Sequence, residues 1–295
     1  MKKICEVIAE YTEKLMPRST SARLDVEVLI SHVCGYENKI DLVMNYNNFF
    51  SEEQFNKFIQ LFNKRMDNMP IAYIINKKEF MCLEFYVDEN VLIPRPDTEV
   101  VVEDLISKID SYKLSSENRL CVLDMCTGSG AIVLSASVLS KNSSFTDFYG
   151  VDISTGALSV SKKNMENFVV SNVNFIESNL FESEDLDKLL GKIDIIVSNP
   201  PYIEEDVIRT LDKDVKDYEP MIALSGGSTG MDFYNEIIEK SALYLKDGGL
   251  LIFESGHDQA EKIVNKFINT GFTDVYTKKD IQGFHRLVAA TKIGS

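Results

Sequence analysis

No run in the 295 residues approaches the about 20 consecutive apolar residues that a membrane-spanning helix requires. The opening "MKKICEVIAEYTEKL" carries two lysines, but glutamates interrupt its apolar positions, so it reads as an amphipathic helix rather than a signal peptide. No CxxC pair occurs among the five cysteines, Cys5, Cys34, Cys82, Cys121 and Cys126, and their number is odd. Zinc ligation and a disulfide framework are therefore not expected, no metal site is expected, and a reducing cytoplasm fits. Internal repeats and low-complexity segments are missing too. Positive charge is scarce: 31 Lys and Arg stand against 46 Asp and Glu, a net charge of −15. Such a chain has no bulk attraction for a phosphate backbone, because nucleic-acid affinity comes mostly from Lys and Arg. The acidity is uneven, with 11 basic and 14 acidic residues in 1–90 but 20 and 32 after it. What is present is an ordinary globular composition, 44% apolar and 26% charged. The length accommodates one large domain and a smaller one, or two comparable domains.

The first 70 residues read as helical. "KKICEVIAEYTEKL" places Ile4, Val7, Ile8, Tyr11 and Leu15 on one stripe. "STSARLDVEVLISHVCG" opens with hydroxyl residues suited to a cap and closes on Gly35. "SEEQFNKFIQLFNKRM" begins at Ser51 with acids in its first turn and ends with Lys64 and Arg65, the charge order a helix dipole favours. Its apolar face is Phe55, Phe58, Ile59 and Phe62. Pro70 breaks this pattern, and the alternation in 71–93 predicts a two-stranded connection between domains. Pro94 and Pro96 end it, and Asp97 or Thr98 is placed to cap a helix near 97–110. From residue 120 the pattern becomes α/β. Apolar runs at 120–125, 148–153, 173–177, 193–198 and 249–254 read as strands, with amphipathic segments between most of them. That alternation predicts a mostly parallel sheet covered on both faces.

The stretch "CVLDMCTGSGAIVLSASVL" is a strand, a glycine-containing turn and a helix. Gly128 and Gly130 let the turn tighten and a ligand approach the backbone, with the helix N-terminus aimed at that ligand. Asp152 stands at the end of the next strand, "FYGVDIS", where a carboxylate can accept both ribose hydroxyls of an adenosine. The turn does not follow the dinucleotide fingerprint GxGxxG, which disfavours a nicotinamide oxidoreductase. It resembles motif I of the class I methyltransferases, which bind S-adenosyl-L-methionine, with Asp124, Gly128 and Gly130 matching. Cys126 stands where that motif usually has glycine. Asn179 and Leu180 follow the third strand, where adenine-contacting residues fall in this class.

The fourth strand, "KIDIIVSN", ends in Asn199, Pro200, Pro201 and Tyr202. Ligands of open α/β sheets bind at such strand ends. An sp² amino group is a poor nucleophile and carries two N–H groups that need acceptors when desolvated. The Asn199 side-chain oxygen and the Pro200 carbonyl supply two acceptors, and Tyr202 offers a face on which a planar amide or base stacks. These residues would orient the nitrogen and stabilise the positive charge that develops on it, with no strong general base required. By itself this loop serves both exocyclic amines of nucleobases and glutamine amides of proteins.

The blocks "PIAYIINKKEF", "LIPRPDTEVVVE", "DMCTGSGAI", "VSNPPYI", "DYEPMIALSGGSTGMDFY" and "LLIFESGHDQ", in this order and with the helical region containing "SARLDVEVLISH", together resemble the PrmC/HemK family over nearly the whole chain. The resemblance implies a Rossmann-like class I methyltransferase sheet (94–295), a β-hairpin linker (71–93) and a small helical domain (1–70) that helps grip the substrate protein. It implies transfer from S-adenosyl-L-methionine, leaving S-adenosyl-L-homocysteine, to the side-chain amide nitrogen of the glutamine in the Gly-Gly-Gln loop of bacterial peptide chain release factors. The family's donor-site pattern falls on Cys126, Thr127, Gly128, Ser129, Gly130, Asp152, Leu180 and Asn199. Its glutamine-holding pattern falls on Asn199, Pro200, Pro201 and Tyr202. Leu180 lies where some relatives carry an aromatic residue. Arg95 and Glu219, in "PRPDTE" and "YEP", are candidates for shaping the substrate channel and the loop after Tyr202. The alternatives are a nucleic-acid amino-methyltransferase using the same loop, which the acidity disfavours, and a non-catalytic adaptor, which the intact Asn-Pro-Pro-Tyr disfavours.

Overall fold

The computed structural model describes residues 2–294. The chain folds as two compact units, residues 1–77 with 212–218, and residues 78–211 with 219–295.

The first unit is helical, with helices Ile4–Leu15, Ala22–Cys34, Lys39–Met44, Glu52–Met66 and Ile71–Ile75. Ile4, Val7, Ile8, Tyr11 and Leu15 are buried, as their spacing predicts. Ser51 accepts from the Gln54 amide while the Gln54 side chain accepts from Ser51, a reciprocal cap that fixes the start of the fourth helix. Tyr11 meets Phe58 and Phe62 edge-on at 5.0 and 4.8 Å. Within the same unit Arg65 donates to Asp25 at 2.8 Å with both side chains nearly enclosed. Two expectations change here. Ile71–Ile75 is a helical turn, not a strand: Tyr73 and Ile74 are buried, and Asn76 ends the turn in the left-handed region at φ 54°. Residues 212–218 also belong to this unit, with the Tyr218 hydroxyl donating to the Asp67 carbonyl at 2.7 Å.

The second unit opens with a short hairpin, β1 (Lys78–Phe80) and β2 (Leu83–Phe85), narrower than the predicted 71–93. Phe80 and Phe85 are buried in the core around the helix Glu99–Ser111, and Phe85 meets Phe168 edge-on at 4.9 Å. The hairpin is therefore packed into this unit rather than a free connection. Then come β3 (Leu120–Met125), β4 (Thr146–Asp152), β5 (Val173–Glu177), β6 (Ile193–Ser198), β7 (Leu245–Glu254), β8 (Phe272–Lys279) and β9 (His285–Lys292). They form one seven-stranded sheet in the order β5-β4-β3-β6-β7-β9-β8. β3 to β7 pair in parallel, whereas β9 pairs antiparallel with both β7 and β8. Two apolar cores cover its faces. Strand order reverses on either side of β3, which opens a crevice beyond the ends of β3, β4 and β6.

The helix Glu99–Ser111 starts where predicted, but neither candidate caps it with its side chain. Asp97 pairs with Arg286 at 3.1 Å, and the Thr98 hydroxyl lies 3.5 Å from Asn199 Nδ2. Thr98 lines the cleft described next, whereas Asp97 does not.

Candidate active site

The turn after β3 is left-handed at three positions, with φ 63° at Cys126, 55° at Gly128 and 78° at Gly130. A Cβ added at Gly130 would stand 2.7 Å from Leu134 Cδ1, so glycine there lets the following helix pack. A Cβ at Gly128 would meet nothing within 4 Å, so glycine there serves the backbone conformation and leaves the turn open. The Thr127 amide donates to the Val151 carbonyl and the Gly130 amide to the Thr127 carbonyl, both at 2.9 Å. The helix Ala131–Leu139 follows directly, bringing the positive end of its dipole to the turn.

Cys126 holds a conformation that an L side chain adopts at a cost of about 1–2 kcal/mol. Burial pushes its thiol far above the usual range, so it is an inert wall residue rather than a nucleophile. Cys126→Gly is expected to be at least as stable as Cys126→Ala although it removes more side chain, and Cys126→Val to be less stable than either. Thermal melts check the order, and a Gly variant well below the Ala variant would contradict it.

Asp152, at the end of β4, joins two turns. Its Oδ2 accepts from the Gly128 amide at 2.8 Å and its Oδ1 from the Ser154 amide at 2.9 Å. Each oxygen keeps a further lone pair for a ligand hydroxyl. Burial raises its pKa, and the amides of Ser154 and Gly128 oppose that. Asp124 is fully buried, with Oδ2 accepting from the Thr127 hydroxyl at 2.6 Å and Oδ1 without a partner among the described residues. It fixes Thr127 from beneath and does not line the cleft.

Burial pushes the Asp124 carboxyl up to about 7, and that of Glu254, fully buried in β7, to about 7 as well. Unfolded carboxyls titrate near about 4, so the folded chain binds more protons than the unfolded one between about pH 4 and 7. Stability that is full below the unfolded pKa is therefore lost as pH rises through about 7. Melting temperature is expected to fall across that window, and Asp124→Asn to flatten the fall. A slope unchanged in the variant would contradict the assignment.

The sequence-predicted donor residues converge. Cys126, Thr127, Gly128, Ser129, Asp152, Asn179, Leu180 and Asn199 line one cleft, while Gly130 stands behind it at the helix start. Leu180 is buried with φ 49°, and Asn179 donates to Glu182 at 3.0 Å. The opposite wall comes from Asn90, Val91, Leu92, Pro94, Arg95 and Thr98, which local pattern did not assign to the donor. Arg95 pairs with buried Glu219, which also accepts from the Ile93 amide at 3.3 Å, so the two residues hold this wall.

The Asn-Pro-Pro-Tyr loop leaves the end of β6 beside this cleft. Ser198 ties that end to β3, its hydroxyl donating to the Met125 carbonyl at 2.6 Å. Asn199 and Pro201 line the cleft, whereas Pro200 and Tyr202 are not part of its wall. The Tyr202 hydroxyl donates to Glu254 Oε1 at 3.3 Å, and its carbonyl accepts from Gln259 Nε2 at 2.8 Å. A Cβ at Gly226 would lie 2.6 Å from the Tyr202 α-carbon, and one at Gly230 2.4 Å from the Tyr202 oxygen. The glycine-rich segment "SGGSTG" therefore packs its bare backbone on Tyr202. Glu254 and Gln259 sit in the block "ESGHDQ", whose residue types gave no local sign of their target.

Among the described residues no helix is long and apolar enough to cross a membrane, and no group of three or more His, Cys, Asp or Glu is placed to hold a metal. Residues 6–75 match the family model described as the PrmC N-terminal domain, and residues 116–291 one described as a methyltransferase domain. The release factor glutamine methyltransferase of Clostridium acetobutylicum is 40% identical to this chain, over 92% of it and 91% of the relative. That of Geobacter sulfurreducens is 37% identical, over 91% of this chain and 89% of the relative. A methyltransferase structure from Pyrococcus furiosus aligns with a TM-score of 0.51 at 20% identity, covering 83% of this chain and 100% of that one, a likeness of fold.

Proposed function

This chain belongs to the release factor glutamine methyltransferase family, and we infer from that premise and from the site that it methylates the side-chain amide nitrogen (N5) of the glutamine in the Gly-Gly-Gln loop of bacterial release factors. The observation that carries the reading is the delivery of Asn199 and Pro201 by β6 to the rim of the cleft that holds the Gly128 turn and Asp152.

The residues present fit S-adenosyl-L-methionine. Asp152 keeps lone pairs for the ribose hydroxyls, the Cys126–Gly130 turn gives an open backbone approach, and Asn179 and Leu180 lie where the adenine would rest. When bound, the donor supplies an electrophilic methyl group on a sulfonium. The protein's part is to position the glutamine nitrogen. Asn199 Oδ1 and the Pro200 carbonyl accept its two N–H groups, and Pro200 and Pro201 have no amide protons to compete. Tyr202 supplies a flat face for the amide. The two acceptors gain strength as positive charge builds on nitrogen, so the site stabilises the transition state more than the ground state. The extra proton can leave after transfer.

Residues 1–70 are proposed to grip the release factor and residues 94–295 to carry the transfer. A cytoplasmic location follows from a substrate that works in translation. The net charge of −15 favours a protein substrate over a nucleic acid. Purified protein incubated with methyl-labelled donor is expected to label a bacterial release factor and not RNA or DNA. Label on nucleic acid with none on the factor would contradict the reading.

A further inference from the structure

Asn164 is fully enclosed on the helix Thr155–Phe168, and it does not line the cleft. Its side chain makes three hydrogen bonds, all to backbone. Oδ1 accepts from the Tyr86 amide at 2.7 Å, and Nδ2 donates to the carbonyls of Tyr86 and Ser129, both at 3.0 Å. The amide fits only one way round, because turning it over would set its oxygen against two carbonyls and its nitrogen against an N–H. Tyr86 is the first residue beyond β2, and this one side chain pairs both its amide and its carbonyl, as a neighbouring strand would.

The two partners of Asn164 belong to opposite walls of the donor cleft. Ser129 is in the Cys126–Gly130 turn. Tyr86 is the root of the segment that supplies Asn90, Val91, Leu92, Pro94 and Arg95. The few residues between are tied down. Asp88 Oδ1 accepts from the Asn90 amide at 3.0 Å and from Asn90 Nδ2 at 2.9 Å, the Val91 amide donates to the Asp88 carbonyl at 3.2 Å, and Val87 and Val91 are buried. The same helix meets this wall again at its start. A Cβ at Gly156 would stand 2.9 Å from Asn90 Cγ, so the bare backbone there lets Asn90 lie against the helix. Gly156 and Asn164 are about 12 Å apart along the helix and on one side of it. Ser154, which caps that helix start, gives its amide to Asp152 at 2.9 Å. One helix thus joins the ribose carboxylate, the glycine turn and the facing wall.

We propose that Asn164 is a positioning residue for the methyl donor: by bonding the Tyr86 backbone and the Ser129 carbonyl at once, it sets the spacing of the two cleft walls between which S-adenosyl-L-methionine is held. A wall fixed in advance costs no ordering when the donor binds and opens rarely once it is bound. Without the bridge, the wall must be ordered at the expense of affinity.

The inference rests on the cleft holding the donor and not on the identity of the methyl acceptor, so its test uses S-adenosyl-L-homocysteine and no acceptor. Asn164→Asp keeps the side-chain shape and loses both N–H donors. Its dissociation constant for S-adenosyl-L-homocysteine, by calorimetry, is expected to rise at least about tenfold. Amide hydrogen exchange across 86–95 in the ligand-free variant is expected to be faster than in wild type, with β6 and β7 unchanged. A residue that served stability alone would lower the melting temperature and leave ligand affinity where it was. A smaller rise in a folded variant would therefore overturn the proposal, and so would exchange across 86–95 no faster than in wild type. If the variant does not fold, wild type carries the test. S-adenosyl-L-homocysteine should slow exchange of the Tyr86 amide and of 87–95, because openings that part the walls release the ligand; unchanged exchange there would overturn the proposal. Wild-type protein that binds no S-adenosyl-L-homocysteine would instead sink the donor reading on which the proposal stands.

Discussion

Asn199→Ala is expected to lower kcat by about 10²–10³ while donor affinity stays within about fivefold. The side chain lies at the end of β6, anchored by Ser198 on Met125 and by its own donation to Thr98. On the proposed reading its removal takes away one of two acceptors for the glutamine nitrogen, and the N–H left unpaired in a desolvated site adds to the loss. The backbone that shapes the donor cleft is unchanged. Because the acceptor matters more as charge develops, the effect belongs in kcat rather than in binding. Single-turnover transfer and donor calorimetry on the same variant separate the two. Transfer within tenfold of wild type, or a loss explained wholly by donor dissociation, would contradict the assigned role.

Asp152→Ala is expected to act on the other substrate, weakening donor binding about a hundredfold or more and changing kcat little at saturating donor. The carboxylate offers two charge-assisted acceptors, each worth about 1.5–3 kcal/mol. It also holds the Gly128 and Ser154 amides, so the open turn loses its clamp with it. Donor-induced stabilisation in thermal melts should shrink accordingly. A dissociation constant within fivefold of wild type would place the ribose elsewhere.

The parallel strands were legible because β3 and β6 are covered on both faces and read as continuous apolar runs. β8 and β9 were not. β8 is largely exposed, with polar residues throughout "FTDVYTKK", and its pairing with β9 is broken by register shifts. The apolar "IAYII" lies after a proline and before charged residues, which imitates a strand, but five residues are too few to distinguish one helical turn from extended chain. Residues 212–218 join the helical unit from the loop between β6 and β7, and nothing in "DKDVKDY" announces it apart from Tyr218.

The turn at Cys126–Gly130 and the Asn-Pro-Pro-Tyr loop stood out in the sequence because each is a contiguous segment of distinctive residue types. What supports them is not contiguous. Thr98 reaches Asn199 across 101 residues, Glu254 reaches Tyr202 across 52, and Gln259 reaches the Tyr202 carbonyl across 57. A threonine before a helix reads as a cap, and a carboxylate at the end of an apolar strand reads as a surface residue. Only the fold shows that both are buried against the loop. Cys126 was visible as a departure from glycine, and the structure keeps the left-handed conformation regardless.

The central claim is the identity of the methylated atom. It is tested most directly by proteolysis and fragmentation mass spectrometry of a bacterial release factor after incubation with this protein and S-adenosyl-L-methionine. One added methyl group on the side-chain amide of the glutamine in the Gly-Gly-Gln loop, absent when that glutamine is replaced by alanine, is the predicted result. A methyl group found on any other residue, or added equally to the alanine variant, would contradict it.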